Sequence, residues 1–180
     1  MKNKVLIITI LGILGIAGLI IIAPYRLKRI ISFLNPWSDP LGSGYQIIQS
    51  LYAIGPASLL GLGFGKSIQK QFYLPEPQTD FIFAIICEEF GIVGAISVIA
   101  LFISLFYIIL KISLKQSNLF AKYLSFGLGM QIILQGALNL CVVTSLIPVT
   151  GVTLPLFSSD GSSLLVSMIS IGIILNICGS

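Results

Sequence analysis

The chain has ten basic residues and six acidic ones, and the acids sit in places where packing does not ask for them. Asp39 stands in NPWSDPLGSGYQIIQS, residues 35–50, held between Pro36 and Pro40. Proline fixes φ, and Gly42 and Gly44 admit tight turns, so the backbone around this carboxylate is defined. A carboxylate held this way suits catalysis, and it suits equally well a surface turn that uses Asp for its geometry. Glu88 and Glu89 are adjacent, and the apolar run Phe81 to Cys87 precedes them. Ionisable groups at membrane depth line a cavity or pair with a partner. Lys66 and Lys70 follow a run of glycines, and Arg26 and Arg29 lie further upstream. These four cations are the candidates for holding an anionic group, with Lys66 and Lys70 the leading pair. For Arg26 and Arg29 a snorkelling anchor is the competing role. Gln46, one turn before Gln49, joins Glu88 and Glu89 as a further candidate substrate contact.

Several chemistries are excluded or unsupported. The chain has no histidine, so histidine acid–base catalysis and the usual zinc sites are out. Cys87, Cys141 and Cys178 lie in or at the edge of apolar segments, without metal-ligand spacing or a disulfide framework. GLGFGKS, residues 61–67, looks like a phosphate loop but has Leu60 where the pattern needs glycine. No strand pattern precedes it, so nucleotide binding is rejected. Nothing in the chain points to nucleic acid.

The elements that must position these residues are membrane helices. The chain is 56% hydrophobic and 9% charged, where a soluble domain carries about 25% charged residues. The fold class is an all-α integral membrane protein, one membrane domain over residues 1–180. Four stretches are long enough for a bilayer, which takes about 20 residues: about 5–23, 91–110, 124–146 and 162–178. The first reads as a retained helix and not a cleaved leader, because no small-x-small site precedes Pro24 and Tyr25. Two loops result, about 24–80 and 148–161. Lysine and arginine tie between the two sides; the acids favour the loop side weakly as external, with both termini cytoplasmic. Within the first loop, Tyr25–Leu34 reads as an amphipathic interfacial helix and Gly44–Ile54 as a short helix ending at Gly55-Pro56. Phe81–Cys87 is too short to span and reads as a re-entrant or broken helix joined to the second span. Gln135 and Asn139, four apart on the third span, should face the interior. PVTGVTLPLFSSDG, residues 148–161, reads as a defined cap over the bundle.

Taken together, NPWSDPLGSGYQIIQS, LYAIGP, GFGKSIQKQFYLPEPQTDFIFAI, EEFG, LIPVTGVTLPLFSSDGSSLL and ILNI closely resemble the C-terminal half of the SEDS family, the FtsW/RodA/SpoVE membrane proteins. The resemblance runs over nearly the whole chain and leans toward division and sporulation members of Gram-positive bacteria. It implies a peptidoglycan glycosyltransferase of the bacterial cytoplasmic membrane that polymerises lipid II into a growing glycan strand. It also implies a class B penicillin-binding protein as partner, within the divisome or a related wall-synthesis complex. The family's catalytic aspartate matches Asp39. The chemistry suits the residues: inverting displacement of a lipid pyrophosphate needs one base for the acceptor hydroxyl, and cations serve the leaving group. The metal requirement stays open, a divalent cation being the one cofactor candidate.

This chain departs from the family at several points. Cys87 precedes Glu88 where the family commonly has Gly, and Ser159-Asp160 stands where it commonly has Tyr-Gly. The second change is expected to add a charge to a tight site. Members usually have about ten spans, so a split or truncated gene product, inactive alone, is one expectation. Gln131, Gln135, Asn139 and the Glu88/Glu89 pair are expected to leave polar surface that a missing half would cover. A lipid II flippase and an inactive remnant or interaction subunit are the alternative readings.

Overall fold

The computed structural model describes residues 24–56, 58–69 and 78–179, with 24–27 through their backbone alone. The expected first span, 5–23, and Lys70 lie outside these residues, as does the Arg26 side chain. Among the described residues every regular element is a helix. The chain divides into two units after Tyr45.

In the first unit α1 runs over Pro24–Leu34, matching the expected amphipathic helix. Proline is suited to a helix start, where its missing N–H is an orphan anyway. Lys28 and Arg29 are exposed, while Ser32 is buried and its hydroxyl donates to the Lys28 carbonyl. The helix stops because Pro36 pushes the preceding residue out of helical space; Asn35 has φ −143° and ψ 83°. A single 3-10 turn, Pro36–Ser38, leads into the Asp39 turn.

In the second unit α2 covers Tyr45–Ile54 and ends, as expected, at Gly55-Pro56. Ser50 ties it down, donating to the Val143 carbonyl at 2.6 Å. Three longer helices follow, each long and apolar enough to cross a membrane: α3, Ile82–Lys115; α4, Leu119–Val143; and α5, Gly161–Gly179. The helix containing the second span therefore begins at Ile82, with the 82–90 segment joined to the span across a break. Gly91 does not start the helix; it breaks it, with φ 65° and ψ −154°. From Ile92 onward α3 reaches about 36 Å, enough for a hydrocarbon core of about 30 Å. The 82–90 segment is the broken piece. The third span is also shifted: Asn118 caps it by accepting from Phe120 N at 2.9 Å, and it ends at Val143 and not 146.

Small residues let α3 and α4 approach. On α4, Ser125, Gly129, Ile132, Gly136 and Asn139 are all buried, at alternating spacings of four and three. A Cβ on Gly129 would lie 2.3 Å from Ile109 Cγ2. Gly129→Leu is expected to overpack this seam by about 1–3 kcal/mol. A lowered unfolding midpoint in detergent is the readout, and an unchanged midpoint would show that the seam is loose.

Polar staples fix the cap. Asn139 is 0% exposed and its Nδ2 donates to the carbonyls of Asp80 and Val152, both at 2.7 Å. Gln135 Nε2 donates to the Thr153 carbonyl at 3.2 Å and to Ser163 Oγ at 2.9 Å. Ser159 N donates to the Gln78 carbonyl at 2.9 Å. The interior placement of Gln135 and Asn139 holds, whereas Gln131 is exposed. The expectation of exposed polar surface is corrected for Asn139, Glu88 and Glu89, which are buried within the chain. Asp160 also behaves differently from expectation. Its carboxylate accepts from Ser162 N at 3.3 Å and Ser162 Oγ at 2.9 Å, capping α5 at the positive end of its dipole.

Candidate functional site

The candidate residues fall in both units, and each unit forms its own local arrangement. In the first, the Asp39 turn closes on itself. The Asp39 carbonyl accepts from Gly42 N at 3.3 Å and Gly44 N at 3.1 Å. Its carboxylate Oδ2 accepts from Ser43 N at 2.9 Å and Ser43 Oγ at 3.1 Å. The side chain is thereby oriented while remaining exposed to solvent. The backbone N–H of Ser43, then its hydroxyl, holds the Asp39 carboxyl below the ordinary carboxylate value of 3.8, with smaller help from Gly42 N–H and the Lys28 charge. Asp39 is thus ionised at neutral pH and available to accept a proton. Lys28 is a charged neighbour of Asp39 that sequence reading passed over in favour of Arg26 and Arg29. Its signal was present, since position 28 belongs to the same basic cluster. Arg29 is exposed on α1.

The pH dependence follows in sign. A depressed carboxyl stays charged to lower pH than an ordinary one, so an activity that needs the Asp39 carboxylate would show its acid limb below the ordinary carboxylate value. Ser43→Ala removes the hydroxyl donor and should move that acid limb upward, with little change at neutral pH. A limb that stays in place in the Ser43→Ala protein would show that Asp39 is not the titrating group. Gly42 is the second control on this geometry. A Cβ there would lie 2.3 Å from Asp39 Oδ2 and 2.6 Å from Oδ1, so Gly42→Ala must displace the carboxylate.

In the second unit the broken helix and the glycine loop are built from each other. A helix break orphans carbonyls on one side and N–H groups on the other. Leu62 N and Gly63 N donate to the carbonyls of Glu88 and Glu89, both at 2.9 Å. Beyond the break, Ile92 N and Val93 N donate to the carbonyls of Ser58 and Leu59, both at 3.3 Å. Residues 58–63 therefore stand in for the missing helical turn and satisfy backbone groups that the break leaves open. Gly61 has φ 69°, and a Cβ on it would lie 2.4 Å from the Glu89 carbonyl.

The same loop explains why GLGFGKS mimics a phosphate loop. Ser67 Oγ donates to Glu88 Oε2 at 2.5 Å, Ile68 N to Oε1 at 3.1 Å, and Gln69 N to both oxygens at 3.4 Å. The hydroxyl and the N–H groups form an anion cradle, and the anion in it is the chain's own Glu88, 6% exposed. Glu89, 5% exposed, points elsewhere, and its Oε1 has no hydrogen-bond partner. Lys66 is exposed beside this loop. Gln46 is half-buried at the start of α2. A cavity of about 340 Å³ lies between α2 and the loop, lined by Tyr52, Ala53, Leu62, Ile68, Gln69 and Glu88 among others. Among the described residues no three His, Cys, Asp or Glu side chains gather as a metal site.

Comparison with known proteins adds the context of these two arrangements. Residues 1–180 match the profile of the FtsW/RodA/SpoVE family, described as "Cell cycle protein". The stage V sporulation protein E of Bacillus subtilis is 52% identical over 93% of this chain and 46% of its own length. The probable peptidoglycan glycosyltransferase FtsW of Nitrosococcus halophilus is 45% identical over 96% of this chain and 45% of its own. A solved structure, titled "Structural coordination of polymerization and crosslinking by a peptidoglycan synthase complex", matches with a TM-score of 0.68 at 30% identity, covering 94% of this chain and 48% of that one. The chain thus spans about half the length of the relatives it matches.

Proposed function

Because this chain belongs to the FtsW/RodA/SpoVE family, we propose that it forms the catalytic half of a multi-pass membrane peptidoglycan glycosyltransferase with Asp39 as general base. The observation that carries this reading is the Asp39 carboxylate itself, oriented by Ser43, exposed and held ionised. In the reaction the acceptor sugar hydroxyl attacks the anomeric carbon of a lipid-linked donor. A new glycosidic C–O bond forms and the bond to the pyrophosphate breaks. The electron pair leaves with the lipid pyrophosphate, and the hydroxyl proton passes to Asp39. Attack opposite the leaving group inverts the anomeric centre. Pyrophosphate is a good leaving group, so cations in place of a second, acidic carboxyl suffice.

Lys66 and Lys70 supply that positive charge, with Arg26 and Arg29 as secondary contacts and Gln46 as the remaining proposed substrate contact. Exposed Lys66 is available for this, and its charge is not consumed by an ion pair among the described residues. Both termini lie in the cytoplasm and the two loops outside, which brings Asp39 to the side where glycan is built. A crosslinking transpeptidase of the class B penicillin-binding type is the partner, a reading supported by the solved neighbour being a polymerisation and crosslinking complex.

The experiment uses a chimera in which this chain replaces the matching part of the Bacillus subtilis relative. Lys66→Gln/Lys70→Gln should raise the apparent constant for the lipid-linked donor about tenfold, and the gap should narrow at high salt. Unchanged donor binding at low salt would assign these lysines to the membrane surface alone.

A further inference from the structure

The two adjacent carboxylates of α3 have opposite fates. Helical neighbours point about 100° apart, so one partner cannot serve both. Glu88 is consumed by Ser67 and the 68–69 N–H groups. Glu89 is equally buried, yet its Oε1 is closed off from water and has no partner. A buried carboxylate in this condition costs several kcal/mol, and intramembrane acids are paired or line a cavity.

The chemistry of the missing partner follows from the local charges. Glu89 stands at the C-terminal end of the 82–90 segment, where the helix dipole is negative. The carbonyls of Glu88 and Glu89 at this end already take the N–H groups of Leu62 and Gly63. An acceptor offers a carboxylate nothing, and a neutral donor compensates neither a carboxylate charge nor the dipole end. A cation answers both. No lysine or arginine among the described residues donates to Glu89 Oε1, and the chain spans only 44–46% of the length of relatives such as those of Bacillus subtilis and Methylococcus capsulatus.

We propose that Glu89 is an assembly carboxylate, pairing with a Lys or Arg side chain in the part of the longer family proteins that this chain does not span. The broken helix then has two separate jobs. Glu88 locks it to the glycine loop of its own unit, and Glu89 locks it to the other half of the protein.

The test uses the same chimera in Bacillus subtilis lacking its own stage V sporulation protein E, with the Asp39→Asn chimera as reference for a protein that accumulates without activity. Glu89→Lys should cut the amount of folded chimera in the membrane about a hundredfold, the scale of breaking a buried pair. Glu89→Asp should retain most of it. Selection for heat-resistant spores in the Glu89→Lys background should yield second-site changes of one Lys or Arg to Glu or Asp, within the relative's segment. Glu89→Lys accumulating as the Asp39→Asn protein does would overturn the proposal, whatever its polymerisation activity. So would suppressors confined to residues 46–180, or a selection that yields none in the relative's segment.

Discussion

Gly91→Ala should remove the chain from the membrane fraction, whereas Gly65→Ala should leave its level within about twofold of the parent. Both glycines have positive φ, 65° and 75°, so backbone preference alone does not separate them. Gly91, with ψ −154°, lies in a region that is essentially glycine-only, which costs an alanine about 1–3 kcal/mol. The larger difference is space. A Cβ at 91 would lie 2.2 Å from the Ser58 carbonyl oxygen and 2.5 Å from Gly61 N, both backbone atoms that cannot rotate aside. A Cβ at 65 meets nothing within 4 Å. Forcing residues 58–61 away would also break the hydrogen bonds that close the helix break, including Ile92 N to the Ser58 carbonyl. Strain and overpacking together reach about 2–6 kcal/mol, a large share of a total stability of about 5–15 kcal/mol. Immunoblots of membranes and denaturant titration of the purified proteins provide the comparison. Equal levels of the two variants would mean that the loop does not hold the break.

Much of this arrangement was legible in the sequence. An apolar run too short to span, followed by two acids and a glycine, told of a broken helix before Gly91. Polar residues at 135 and 139 showed which face of α4 points inward. The ends of helices were read less well, because the capping oxygen of Asn118 and the continuation of α3 to Lys115 depend on local bonds that hydropathy does not register. The fate of Glu88 was not legible at all. GLGFGKS was correctly separated from nucleotide loops by Leu60, but the anion it holds comes from 21 residues downstream, a tertiary pairing with no sequence period. Asp160 was misjudged for a related reason: as a charge near the bilayer it looked costly, while as a helix cap its neighbour Ser162 makes it favourable. The Asp39 turn was the most legible part, since Pro36, Pro40, Gly42 and Gly44 each restrict or permit a specific backbone state.

Asp39→Asn has the other large expected effect. Asparagine is nearly isosteric and its side-chain oxygen can still accept from Ser43, so the turn and the membrane level should persist. What is lost is the group that takes the proton, and general bases contribute about 10²–10⁴-fold to rate. The ionisation of Asp39 adds to stability above the ordinary carboxylate value, and this contribution fades as pH falls through the folded value; because Asp39 is exposed, water screens the contribution and keeps it small, so the mutation should leave the unfolding midpoint at neutral pH nearly unchanged. The loss should therefore fall on turnover, and donor binding should stay close to the parent.

The most direct measurement is polymerisation of purified lipid-linked disaccharide by the chimera, with glycan strands resolved on a gel, for the parent and for Asp39→Asn at matched membrane levels. The account predicts long strands from the parent and none above background from Asp39→Asn. Strands of equal yield from both proteins would contradict it and remove Asp39 from the chemistry.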